Sequence, residues 1–224
     1  MTALVVAGMS AREVSRRRVA LALMVTLPLW FYLVRRDLEG QSVRMLTLGM
    51  GWAVSALTLF VVNASRGVDP RLRLTGASTL AIIGGRLLAL TSGGVALAVA
   101  YWALVEADQR LSRPWTGLLM MVLTAVIAAP LGGLVAALLP RELEGALALL
   151  SICAVQMLAD PPTLAAHLMP FWSFRELGTY VVDGADSGYL WRALLHAAAT
   201  WLICAGGTYA LFAWRLRLPR YPEP

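Results

Sequence analysis

WTGLLMMVLTAVIAAPLGGLVAALL (residues 115–139) contains no charged residue. A helix of about 20 apolar residues crosses the roughly 30 Å hydrocarbon core of a bilayer. This run is longer than that, and its single proline, Pro130, predicts a kink. Working outward from it, five further apolar runs occupy residues 19–34, 45–62, 80–105, 143–158 and 193–214. The whole chain is consistent with this pattern: 59% of its 224 residues are hydrophobic and only 14% are charged, against about 25% charged in a typical soluble domain. The expected fold is an all-α membrane protein: a six-helix transmembrane domain over 19–214, an N-terminal cytoplasmic or interfacial segment at 1–18, and a cytoplasmic tail at 215–224.

All nineteen basic residues are arginine. They sit at the ends of the apolar runs, where basic residues accumulate on the cytoplasmic membrane face. No basic stripe with interleaved aromatics is present, which excludes a nucleic-acid interface. With the N-terminus inside, the inner segments hold Arg12, Arg16, Arg17, Arg18, Arg66, Arg71, Arg73, Arg86, Arg141, Arg215, Arg217 and Arg220. The outer segments hold Arg35, Arg36, Arg44, Arg110, Arg113, Arg175 and Arg192, together with most of the acids. Twelve against seven places both termini in the cytoplasm. Residues 1–9 are apolar but too short for the core of a signal peptide, and the arginines follow rather than precede them. Residues 10–18 are basic and suit a helix along the inner surface. Cys153 and Cys204 lie inside apolar runs and read as packing residues.

The fifth run is short and stops at Asp160-Pro161-Pro162, because a proline pair cannot continue a helix. Residues 163–182 then carry His167, Pro170, Arg175 and Glu176 among apolar neighbours including Phe171 and Trp172. That mixture is too polar to cross lipid and too apolar for an ordinary loop. One or two short outer re-entrant helices, packed on protein, are expected between the fifth and sixth spans.

Between the second and third runs stands NASRGVDPRLRLTGAS (residues 63–78), followed by TLAIIGGRLL (79–88). Residues 71–78 suit a short amphipathic helix, with Leu72 and Leu74 apolar, Arg71 and Arg73 charged, and Gly76 allowing a sharp exit. Arg86, near the start of the third run, is placed to snorkel to the interface.

Here the sequence resembles the ABC-2 family of export permeases. Their corresponding loop typically runs Arg-x-x-Gly or Arg-Gly, Arg-Leu, Thr-Pro-x-Ser and then an apolar turn ending Gly-Lys-Leu-Leu. This chain carries Arg66-Gly67, Arg71-Leu72, Thr75-Gly76-Ala77-Ser78 and Gly85-Arg86-Leu87-Leu88 in that order. Pro28-Leu29 in the first run, the basic lead and the proline-rich region after the fifth run extend the resemblance across nearly the whole chain. The chain departs from the pattern at Ala64 and Ser65, where the family often has acids, and at Gly76, where it usually has proline.

The resemblance implies a cytoplasmic coupling helix seated in a separate ABC ATPase subunit. Arg66, Arg71, Leu72, Arg73, Leu74, Thr75, Gly76 and Ser78 would carry the coupling. It also implies pairing with a second copy or a homologous permease in a bacterial cytoplasmic membrane. The second and fifth spans would border the route, and the re-entrant segment would form its outer gate. Ser55, Thr58, Gln156, Met157, Asp160, Pro161, Phe171 and Trp172 are the path and gate candidates.

No Gly-x-x-x-x-Gly-Lys-Ser/Thr occurs, and without lysine the usual phosphate-holding side chain is missing. The chain is therefore expected to bind no cofactor itself, with ATP and Mg on the partner. His167 and His196 are the only histidines and suggest no nucleophile–base pair or metal site. Asp183-Gly184-Ala185-Asp186 reads as a solvated turn. No carboxylate occupies the middle of a span, so a proton or sodium relay has no carrier. Gln156, Ser151, Thr124, Thr58 and Ser55 suit a cavity or, more readily, hydrogen bonds within the bundle, and Met120, Met121 and Met157 suit an adaptable apolar lining or equally lipid contact. An amphiphilic or hydrophobic substrate, such as a drug, lipid-linked molecule or peptide, fits best. Ion-coupled or ATPase-energised uptake is the main alternative, and an intramembrane enzyme a more distant one.

Overall fold

The computed structural model describes residues 2–38, 40–109, 111–160 and 163–217, and every regular element among them is a helix. In chain order these are α1 (Ala3–Arg16), α2 (Arg18–Val34), α3 (Gln41–Ala64), α4 (Asp69–Leu74), α5 (Thr79–Asp108), α6 (Pro114–Leu138), α7 (Glu142–Leu158), α8 (Leu164–Leu168), α9 (Trp172–Val182) and α10 (Ser187–Arg215). Local chemistry sets several boundaries. The Ser78 hydroxyl accepts the Ala81 N–H at the start of α5, and Asp186 accepts the Gly188 N–H at the start of α10. Pro70 and Pro114 sit in the first turns of α4 and α6, where a missing N–H costs nothing.

Four helices, α3, α5, α6 and α10, are long and apolar enough to cross a membrane, or five if α1 and α2, bent by 72°, count as one broken span. α2 and α7 have 17 residues each, a reach of about 26 Å. The bundle is built around α3 and α6. In their most apolar windows 83% and 67% of residues are buried, against 33% for α5 and 17% for α10. Only glycine permits the α3–α6 approach at Gly132, where an added Cβ would collide with the Ser55 carbonyl oxygen. Beside it, the Ser55 hydroxyl donates to the Ala128 carbonyl at 2.9 Å, a polar link between the two helices.

The structure revises three sequence expectations. α1 begins at Ala3 rather than near residue 10, because Val6 and Ser10 face inward on a helix packed over Gly85 of α5. The short helix after α3 covers Asp69–Leu74 rather than 71–78, since Gly76 takes a left-handed φ of 86° and Ser78 already caps α5. α10 starts six residues before the expected span, on its Asp186 cap. Pro161, Pro162 and residues 218–224 of the expected tail lie outside the described residues.

Candidate functional site

Two polar regions stand at opposite ends of α3. At its C-terminal end, the chain turns through Ser65–Val68 into α4. Arg86 of α5 reaches back to Asp69 with both guanidinium arms, Nη2 to Oδ1 at 2.7 Å and Nη1 to Oδ2 at 3.2 Å. Asp69 is 1% exposed and Arg86 4%, so this is a buried bidentate pair rather than a snorkelling arginine. It welds the first turn of α4 to the second turn of α5.

Around this weld most of the predicted coupling residues are tied down. Arg66 donates from Nε to Asn63 Oδ1 at 2.9 Å and from Nη2 to the Ala136 carbonyl, joining the end of α3 to the end of α6. Burial lowers its pKa below the ordinary guanidinium value, and nearby Arg215 adds to the effect. Arg73 turns back to the Ala77 carbonyl at 2.8 Å, and Thr75 donates to the Leu72 carbonyl. Leu72 packs against the core. Outward stand Arg71, Val68, Leu74 and Leu80, the last two 75% and 65% exposed, beside the exposed Thr75, Gly76 and Ser78. The result is a mixed apolar and polar face with one cation on a short, braced helix.

At the N-terminal end of α3, a cavity of about 760 Å³ opens between α3, α7, the α8–α9 segment and α10. Arg44, Arg175, Arg192 and Glu176 supply its charges, and Met45, Leu48, Met157, Trp172 and Phe174 supply an apolar wall. Arg192 Nε donates to Glu176 at 2.7 Å and its guanidinium stacks 4.3 Å above the Tyr189 ring. Arg44 Nη2 donates to Asp183 at 2.6 Å. Arg175 donates to the Ala159 carbonyl, which anchors α9 to the end of α7. Trp172 lies between two imidazoles, 4.7 Å from His167 and 5.1 Å from His196. Gln156 is 4% exposed, and neither its amide nitrogen nor its oxygen has a hydrogen-bond partner among the described residues.

Of the path candidates, Gln156, Met157 and Trp172 meet at this cavity. Phe171 is 1% exposed and fills the space beside Gly51 of α3. Asp160 is exposed, and its carbonyl accepts the Thr163 hydroxyl. Ser55 and Thr58 are placed elsewhere: both are fully buried and bonded to backbone carbonyls, Ser55 at the α3–α6 crossing and Thr58 on its own helix. Met120, Met121 and Thr124 are likewise buried between helices. Asp183 and Asp186 hold Arg44 and cap α10, with Gly184 at a φ of 69° between them.

Sequence reasoning missed Asp69, Arg86 as its partner, and the convergence of Arg44, Arg175 and Arg192. The one local signal was Gln156, which continues the buried stripe Gly145, Leu149 and Cys153 of α7. Comparison with known families and with curated proteins found no matching family model and no matching curated protein.

Proposed function

We propose that the chain is the permease subunit of an ATP-driven exporter of the ABC-2 kind, powered by a separate ATPase. On this reading α2, α3, α5, α6, α7 and α10 are the six spans, with α1 along the inner interface. α4 faces the cytoplasm, both termini are cytoplasmic, and α8–α9 form a re-entrant outer gate. Two copies, or this chain and a homologue, pair around a route for an amphiphile.

One observation carries the reading: the short helix α4 is braced by a buried Asp69–Arg86 pair yet presents Arg71 and Leu74 outward, flanked by the exposed Val68 before it and Leu80 of α5 after it. A rigid element with uncovered apolar residues suits transmission of a push between subunits. The order of the loop motif and the missing phosphate-binding lysine point the same way. Uptake is the second reading, favoured by the charged cavity.

Purification of the tagged chain from its own host membranes tests the proposal. A polypeptide bearing Gly-x-x-x-x-Gly-Lys-Ser/Thr should co-purify and hydrolyse ATP. Arg71→Glu with Leu74→Glu should lower its recovery by about tenfold or more. A particle with no nucleotide-hydrolysing companion, or one whose α4 stays open to solvent labelling when assembled, overturns it. ATP-dependent movement out of right-side-out vesicles, rather than in, decides between export and uptake.

A further inference from the structure

We propose that the cavity between α3, α7, α9 and α10 is a binding site for a phosphate-type anionic group, carried on an amphiphile whose tail lies along the Met45–Trp172 wall. The inference rests on the membrane reading above and adds to it a class of ligand. Without the cavity, that reading pointed only to an apolar or amphiphilic cargo.

The charge inventory supports an anion. Three guanidiniums line the cavity against one carboxylate, that of Glu176, and Asp183 offsets Arg44 from outside it, leaving an excess of one positive charge. Arg175 is the arginine that no described carboxylate pairs; its one bond among the described residues, from Nη1 to the Ala159 carbonyl, leaves Nε and Nη2 to donate. A planar guanidinium with two donors fits a phosphate or carboxylate edge.

A second, independent observation is that the site holds polar groups the fold leaves unanswered. Gln156 is nine-tenths buried with both ends of its amide unpaired, and the Arg44 Nε is buried without a partner among the described residues. Buried polar atoms are nearly always bonded; Asn63, Arg73 and Arg86 each leave one nitrogen unpaired among the described residues at the α4 end, but the Gln156 amide is unpaired at both ends and lines a cavity together with Arg44, which is where a ligand's oxygens and hydroxyls would belong. The lining also includes the apolar Met45, Leu48, Met157 and Trp172, two of them adaptable methionines. Such a lining suits a hydrocarbon or prenyl chain better than a free ion.

The purified chain alone, in a neutral maltoside detergent, is titrated by calorimetry with dodecyl phosphate, dodecyltrimethylammonium and inorganic phosphate. Dodecyl phosphate should bind saturably. Arg175→Gln should weaken it by about tenfold or more, with Arg175→Lys falling between the two. Gln156→Leu should weaken binding several-fold while leaving the chain folded, and Arg71→Glu, at the far end, should change nothing. Binding of inorganic phosphate with similar affinity would retain the anion site and remove the tail from it. Equal binding of the cationic amphiphile, no saturable binding, or indifference to both Arg175 and Gln156 would overturn the proposal. Because no ATPase is present, failure here leaves the exporter reading to its own co-purification test.

Discussion

At the α4 end of the bundle, Asp69 and Arg86 are both buried and joined by two hydrogen bonds, while single nitrogens of Asn63, Arg73 and Arg86 stay unpaired among the described residues. At the other end, Gln156 is equally buried and has no described partner at either end of its amide, while Arg44, Arg175 and Arg192 crowd one cavity with fewer carboxylates than guanidiniums. The first arrangement commits both carboxylate oxygens of Asp69 to bracing, and its outward face mixes apolar residues with Arg71, Thr75 and Ser78. The second leaves both ends of a buried amide unpaired on the wall of a cavity, which is the usual mark of a place where something else binds, because a fold selected for stability alone would have filled the site with a hydrocarbon side chain. Stiffness at one end and unmet bonding capacity at the other are what a mechanically driven binding protein requires.

The contrast can be broken most forcefully at the ion pair. Asp69→Ala or Arg86→Ala should each destabilise the chain by about 3–5 kcal/mol, since either leaves an uncompensated buried charge. The double variant Asp69→Ala with Arg86→Met should recover much of that loss. Unfolding by sodium dodecyl sulfate titration, arranged as a double-mutant cycle, measures both. Between the two ends, Gly132→Ala should cost about 1–3 kcal/mol by forcing α3 and α6 apart at Ser55, read from the same titration.

Gln156 sharpens the comparison because its sign is opposite. Gln156→Leu should stabilise the chain by about 1 kcal/mol or more, removing a polar group that has no described partner. A loss of stability would mean that the amide is bonded after all. The smallest effect is expected at Arg71, which is exposed and makes no described ion pair. Arg71→Glu should leave stability within about 0.5 kcal/mol but reduce transport per ATP hydrolysed in reconstituted vesicles. Wild-type coupling in that variant would remove Arg71 from the proposed mechanism.

Some of this was legible in the residues. The runs at 45–62, 80–105, 115–139 and 193–214 correspond to the four long apolar helices, because a helix of that hydropathy needs no partner to declare itself. The turn at Gly76 and the break after α7 were equally visible, since glycine and proline act on their own backbone. The partnership of Asp69 with Arg86 was not: the two are 17 residues apart across a turn, and Arg86 alone looks like any arginine near a membrane interface. Ser55 and Thr58 read as cavity-facing only because a periodicity does not say which neighbour a helix face meets; here it meets α6 and its own backbone.

The sequence by itself determined the solvent that the long helices suit and the places of four of the six expected spans, properties of composition and of contacts within a few residues. Only the tertiary structure decided that an arginine from α3, one from α9 and one from α10 share a single cavity with an unpaired glutamine. Charges at separate helix ends become a site only when packing brings the ends together, and packing is settled by contacts between residues far apart in the chain.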